Sequence, residues 1–495
     1  MNLPIQPNDI QAVIEADRAH VWHHLIQHKP FETIDPRIMV EGRGMRVWDA
    51  TGREHLDGVS GGVWTVNVGY GRESIANAVR DQLVKMNYFA NSAGSIPGAL
   101  FAQKLIEKMP GMSRVYYSNS GSEANEKAFK MIRQISHRRH GGRKYKILYR
   151  DRDYHGTTLA ALSAGGQPQR VEQYGPLAPG FVMVPHCLEY RNQFPDAESY
   201  GLAAANAIEE VILREGPDTV GGLCLEPITA GGGVITPPAG YWERVQEICA
   251  KYNILLHIDE VVCGVGRTGA WFGYQHYGVK PDFVTMAKGV ASGYAAISCT
   301  VTTEAVFEMF KDDPSDPMSY FRDISTFGGC AAGPAAALEN MRIVEDEKLI
   351  ENTQAMGAAG QARRDRRRAR QGPVHRRRTR QRPDVARASR GEEGAGGGGR
   401  LHGAGRHHRR HQPLAARLQQ HAVLLAGADR HRERHRPDHR QRRQGADEGV
   451  RITRQSGLNG SCTGGAGHSS ACPFRLAKSV DMLAKTGWAI ECRFR

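Results

Sequence analysis

Between residues 61 and 325, short apolar runs alternate with stretches whose apolar positions recur every three or four residues. The runs RVYYSNS, KILYR, FVMVP, GGLCLEP, NILLHIDE, DFVTMA and AISCTVT predict strands. SEANEKAFKMIRQISH and GYWERVQEICAKY, with helical periodicity, predict helices between them. Strands that are apolar throughout are buried on both faces, so the pattern predicts an α/β fold with a mostly parallel sheet covered by helices. Functional groups in such sheets gather at the carboxyl ends of the strands. Before residue 61, IQAVIEADRAHVWHHL predicts a helix and RVWDA a short strand leading into a turn at Thr51-Gly52.

The texture changes after about Gly357. Arg, His, Gln and Gly take over, residues 361–450 contain no aromatic residue, and no apolar periodicity survives. Such a composition does not build a core. It also explains the charge. Residues 361–450 hold 25 arginines, no lysine and nine acidic residues, so that segment carries +16 of a chain whose formal net charge is +14, leaving −2 for the rest. The body is near neutral. The tail lacks the interleaved aromatics of a nucleic-acid-binding module, so no nucleic-acid partner is expected.

The tail has the character of GC-rich DNA read out of frame. With plausible codons, residues 406–430 read one base later give VIIGVTNRSLPGFNNTLCFSPALIA. The same shift turns residues 372–382 into GLFIGAELVSD and 431–449 into TASDIDRITDSVDKALTRV. Three successive segments regain strand and helix patterns under one shift. The expectation is a frame change near residues 357–361, a bypassed stop near 450, and read-through over 451–495. The expected organisation is 1–60 as part of a small domain, 61–325 as the large domain, 326–356 as the start of the C-terminal small domain, and 357–450 as a disordered tail.

The nine cysteines show no CxxC and no paired spacing, which suggests reduced thiols and a cytoplasmic location. The N-terminal residues lack a basic region followed by an apolar stretch, so no secretory signal is expected. No apolar run is long enough to span a membrane.

The strongest chemical signal is a pair of strand ends. NILLHIDE presents Asp259 and DFVTMAKG presents Lys288. A carboxylate and an amine so placed can flank one ligand, as a pyridoxal ring requires: a lysine for its aldehyde and a buried carboxylate for its ring nitrogen. Either residue alone reads as ordinary solvated polarity. In SNSGSEANEKAFK a strand turns through Gly121 into a helix starting at Ser122, and helix N-termini suit phosphate, although most such junctions are only caps. DYHGTT offers Tyr154 to stack on a flat ring and His155 to hydrogen-bond near it. STFGG offers Thr326 as a second phosphate contact. Glu226, ending LCLE, is either a site residue or a cap for the glycine loop that follows.

Taken together, these motifs resemble the class III, or omega-amino-acid, aminotransferases of fold type I. The resemblance covers roughly residues 1–356 and is most specific in LLHIDEVVCGVGRTGAWFGYQHYGVKPDFVTMAKGVASG, residues 255–293. It implies pyridoxal 5′-phosphate as cofactor, Lys288 as its Schiff-base and proton-shuttling lysine, and Asp259 as partner of the pyridine nitrogen. It further implies Tyr154 and Val261 on the two ring faces, Gly121 and Ser122 in a phosphate cup, and Glu226 near the substrate and the cofactor's 3′-oxygen. Trp64, in GGVWTVNVGYG, becomes a wall of the substrate pocket. Thr326 becomes a phosphate contact supplied from the other subunit, which implies a homodimer. The N-terminal stretch and GGVWTVNVGYGRESIANAV resemble the members acting on taurine. This implies ping-pong transfer of an amino group from taurine, or a related omega-amine, to pyruvate, giving sulfoacetaldehyde and L-alanine. The alternatives are another omega-amino-acid–pyruvate transaminase, an aminomutase of the same fold, or an inactive remnant. The last arises because the family's substrate-binding arginine falls in the shifted stretch, at a codon straddling Pro413 and Leu414. The expectation is therefore a poorly folded or inactive chain.

Overall fold

In the computed structural model, the described residues are 9–370 apart from 191 and 312–314. The segment 371–495, which holds most of the expected out-of-frame tail, lies outside them.

Three short strands, β1 (Met39–Arg43), β2 (Arg46–Asp49) and β3 (Glu54–Leu56), form an antiparallel sheet. β2 coincides with the predicted RVWDA, and Gly52 turns the chain at φ +80°. The large sheet contains β4 (Arg114–Ser118), β5 (Lys146–Arg150), β6 (Phe181–Val184), β7 (Val220–Leu225), β8 (Leu255–Asp259), β9 (Phe283–Met286) and β10 (Ser298–Thr302). Their order is β4-β10-β9-β8-β7-β5-β6. The pairs β9–β8, β8–β7, β7–β5 and β5–β6 are parallel, and β10 runs antiparallel to both of its neighbours. All seven apolar runs became strands of this sheet.

Alternation along the strands divides the core. Leu148, Leu223, Leu225, Val284 and Met286 face one cluster, while Ile147, Cys224 and Phe283 face the other. This is the two-residue period of a sheet buried on both sides. Helix Tyr241–Tyr252 buries Tyr241, Trp242, Val245, Ile248 and Cys249, one face at helical spacing, in the first cluster. Helix Gly121–His140 buries Phe129, Ile132 and Ile135 in the second.

That helix is sharply defined. The Ser120 side chain accepts from the Glu123 amide, and the Glu123 carboxylate accepts from the Ser120 amide, closing a capping box. Basic residues fill its last turn, and Gly141 ends it in the left-handed region.

Two elements differ from expectation. The N-terminal helix stops at His20, where Val21 turns extended, and Trp22 and Leu25 project into solvent. Helix Leu349–Arg370 continues across the compositional break at Gly357. Ala, Gln and Arg are good helix formers, so backbone propensity carries it past the point where core patterning stops. No helix among the described residues is long and apolar enough to cross a membrane.

Candidate active site

The carboxyl ends of β4, β5, β7, β8 and β9 bring most of the predicted site residues to one edge of the sheet. β8 and β9 are adjacent and parallel, with Asp259 paired to Thr285. Asp259 thus ends one strand, and Lys288 follows the end of its neighbour.

Asp259 is buried. Its Oδ2 accepts from the Asn125 amide nitrogen at 2.8 Å and lies 2.8 Å from His155 Nδ1, and its Oδ1 accepts from the Val261 backbone amide at 2.9 Å. Burial pushes the carboxyl up, but the His155 hydrogen bond and charge, with the Val261 amide, outweigh it. The group lies below the usual carboxylate value. Burial opposes charge on His155, whereas the Cys224 sulfur and the Asp259 carboxylate favour it, and the imidazole lies well above its ordinary value. The two form a buried ion pair.

Asn125 extends this contact into a directed chain. Its amide nitrogen also donates to the His155 carbonyl at 2.7 Å, so its oxygen faces Thr285, whose hydroxyl donates at 2.6 Å. Thr285 must then accept from His257 Nε2, 2.9 Å away. His257 Nδ1 has no partner, and burial pushes this imidazole down to about 3, so it is neutral.

Lys288 sits in a left-handed backbone conformation, φ +42°. Burial lowers its amine below the ordinary lysine value, with the charges of Asp259 and Glu226 pulling the other way. Among the described residues its Nζ has no hydrogen-bond or ion-pair partner.

Gly121 begins the capped helix at the end of β4, facing Val261. A Cβ at Gly121 would come within 3.0 Å of both Val261 γ-carbons, so glycine keeps open the gap between helix tip and valine. Ser122 Oγ accepts from the Thr157 amide at 3.1 Å, tying the helix start to the loop after β5. On that loop the Tyr154 amide donates to Glu226 Oε1 at 2.9 Å, and the Arg170 guanidinium lies 4.9 Å from the Tyr154 ring centroid. Glu226 Oε2 accepts from the Ala230 amide at 2.9 Å, so this acid caps the glycine loop and anchors Tyr154. Burial, then the Asp153 charge, pushes its carboxyl up to about 8.

Two predicted residues stand apart. Trp64, at φ +60°, is linked through its carbonyl, which accepts from Arg267 at 2.8 Å. Thr326 is exposed on the turn Thr326–Gly329, which packs against β4, with Gly328 close to the Tyr117 carbonyl. Within one chain, no polar contact joins it to the other site residues described.

Several polar residues around the site escaped the sequence reading. Arg150 and Asp153 form a fully buried ion pair at 3.1 Å, and Arg150 also donates to the Glu226 carbonyl at 2.7 Å and to Thr229 Oγ1 at 2.8 Å. A charged residue ending the apolar run KILYR was the available signal. Asn125 was marked by its place among the alanines of the buried helix face. Asn340 and Arg267 had no local signal.

The Aminotransferase class-III family matches residues 29–378. The chain belongs to that family. It is 76% identical to the hypotaurine/taurine–pyruvate aminotransferase of Paracoccus denitrificans over 357 residues, covering 72% of this chain and 78% of that protein. It is 62% identical to the taurine–pyruvate aminotransferase of Bilophila wadsworthia over 349 residues, covering 70% and 76%. Among solved structures, a Bacillus anthracis aminotransferase superposes with a TM-score of 0.68 at 39% identity, covering 72% of this chain and 78% of that one. The omega transaminase from Pseudomonas jessenii, solved in complex with PMP, gives 0.68 at 32% identity, covering 71% and 78%.

The protein is thus a transaminase of the class that works with pyridoxal 5′-phosphate. The residues present suit that group: a buried, ionised carboxylate on β8, an unpartnered amine after β9, and a helix N-terminus whose glycine leaves room beside Val261.

Proposed function

We propose that this transaminase moves the amino group of taurine, or a related omega-amine, to pyruvate, giving sulfoacetaldehyde and L-alanine. The observation that carries the reading is the placement of Asp259 at the carboxyl end of one strand and Lys288 just past the end of its parallel neighbour. The specific donor rests on the names of the relatives at 76% and 62% identity.

Pyridoxal 5′-phosphate, when bound, supplies an aldehyde that accepts the amino group and a ring that draws electrons from the substrate carbon. Asp259, held ionised by His155, keeps a proton on the ring nitrogen. Lys288 Nζ would take a proton from the substrate carbon and deliver it to the cofactor carbon that carried the aldehyde, a role helped by an amine that loses its charge more readily than an exposed lysine. Gly121 and Ser122 would hold the phosphate at the helix tip. Tyr154 and Val261 would hold the ring, and Glu226 and Trp64 would face the substrate.

Thr326 completes the phosphate site from a second copy in a homodimer. Its turn is surrounded by solvent-facing apolar side chains suited to such a contact, with Ile324 73% and Phe327 67% exposed. The enzyme works in the cytoplasm. Residues beyond about 357 are an out-of-frame stretch.

The test is a donor panel with pyruvate. Purified protein, in the chain as it stands and with its frame restored, is supplied with taurine, hypotaurine or β-alanine, and alanine is measured. Taurine-dependent alanine from the restored chain supports the reading. Alanine from none of the donors overturns it.

A further inference from the structure

Lys288 is not the only strained residue in its turn. Ser292 also adopts a left-handed conformation, φ +48°. Such a conformation is unfavourable for a non-glycine residue and persists only where its surroundings enforce it. The enforcing residue comes from a distant helix. Asn340, on helix Ala332–Asp346, is completely buried, and its amide nitrogen donates to the carbonyls of Gly289 at 2.9 Å and Val290 at 3.0 Å. Its oxygen accepts from Ser292 Oγ at 2.7 Å. Ser292 Oγ in turn accepts from the backbone amides of Asn67 and Val68 at 3.2 and 3.3 Å.

The opposite side of the turn is also held. The Asn67 side chain donates to the Val265 carbonyl at 3.0 Å and accepts from Arg267, which also holds the Trp64 carbonyl at 2.8 Å. Gly289 lies so close that a Cβ there would fall 2.2 Å from Asn67 Nδ2. Asn340 therefore uses both donors and its acceptor on one turn, and through Ser292 it joins that turn to the segment bearing Trp64. Leucine has nearly the same shape as asparagine but can form none of these bonds.

We infer that Asn340, acting through Gly289, Val290 and Ser292, is a positioning residue that holds the Lys288 turn in register with the Trp64 loop and keeps the lysine amine aimed into the site. The inference rests on the proposed role of Lys288. It predicts that loosening this anchor lets the amine reach water, which relieves its burial and restores its ordinary affinity for protons.

The test is competitive labelling of the full chain, freed of bound pyridoxal 5′-phosphate so that Lys288 Nζ is unmodified, with trace acetic anhydride across a pH series. Modification of Lys288 is read by mass spectrometry against the exposed Lys280. In the native protein, Lys288 reacts with a midpoint below the ordinary lysine range. Asn340→Leu moves that midpoint up toward the ordinary lysine range, so that labelling at fixed lower pH falls severalfold. Ser292→Ala, which removes only one hydroxyl, moves it in the same direction and decides the matter if Asn340→Leu does not fold. Circular dichroism checks that each variant is folded. An unchanged Lys288 midpoint in the folded variants overturns the inference. Pyridoxal 5′-phosphate fixed by borohydride is mapped separately. Failure to find it on Lys288 of the native chain would sink the cofactor reading while leaving the labelling result intact.

Discussion

His155 Nδ1 lies 2.8 Å from Asp259 Oδ2, and both side chains are buried. Their shifts have opposite signs, which gives the pair a window. Asp259 is lowered from 3.8, so its contribution is complete above that value and is lost as pH falls through its depressed folded value. His155 is raised from 6.5, so its contribution is complete below 6.5 and is lost as pH rises through its elevated folded value. The pair contributes most between about pH 4 and 6.5. Replacing His155 with Phe leaves a buried carboxylate short of a partner and is expected to cost roughly 3–5 kcal/mol near pH 6. Urea unfolding at pH 6 and pH 9 checks this: the loss relative to native protein is larger at pH 6.

The gap at the helix tip leads to a second expectation. Gly121→Ala places a methyl 3.0 Å from both Val261 γ-carbons, where something must shift. The substitution should weaken pyridoxal 5′-phosphate binding by about tenfold, ~1.4 kcal/mol. Pyridoxal without the phosphate should be affected much less. Equilibrium dialysis with the two compounds distinguishes a phosphate site from general disruption.

The buried Arg150–Asp153 pair underlies Glu226 and Tyr154. Arg150→Met strands Asp153 in the core and should cost roughly 3–5 kcal/mol in denaturant unfolding. Arg150→Met combined with Asp153→Leu should cost less than Arg150→Met alone, because the double variant leaves no unpaired buried charge. Equal or additive losses would place the damage in packing instead.

The altered texture beyond Gly357 gives a fourth expectation. Restoring the frame near residues 357–361 should yield a chain with normal apolar periodicity that forms taurine-dependent alanine. The chain as it stands should form little. Resequencing the gene, with mass spectrometry of the expressed protein, tests the premise.

Much of this was legible in the sequence for a physical reason. A strand buried on both faces must be apolar along its length, so all seven runs stood out, and a polar residue ending such a run marks the site edge. Lys288, Asp259, Glu226 and the Gly121 junction were all singled out that way. The residues missed act across long sequence separations. Asn340 reaches Gly289 from 51 positions away, Asn125 reaches Asp259 across 134, and Arg267 reaches Trp64 across 203. A position on a buried helix face can mark an asparagine as buried, as with Asn125, but it does not name the partners, which are chosen by the fold. Thr326 shows the opposite limit. Its sequence context was visible, but one chain leaves it exposed and away from the other site groups.

The most direct test of the central claim is to incubate the protein with pyridoxal 5′-phosphate, reduce with borohydride, digest, and locate the modified lysine. The account predicts that the label sits on Lys288, that Lys288→Ala loses it, and that Asp259→Ala binds the cofactor more weakly. A label on any other lysine, with Lys288 unmodified, would contradict it.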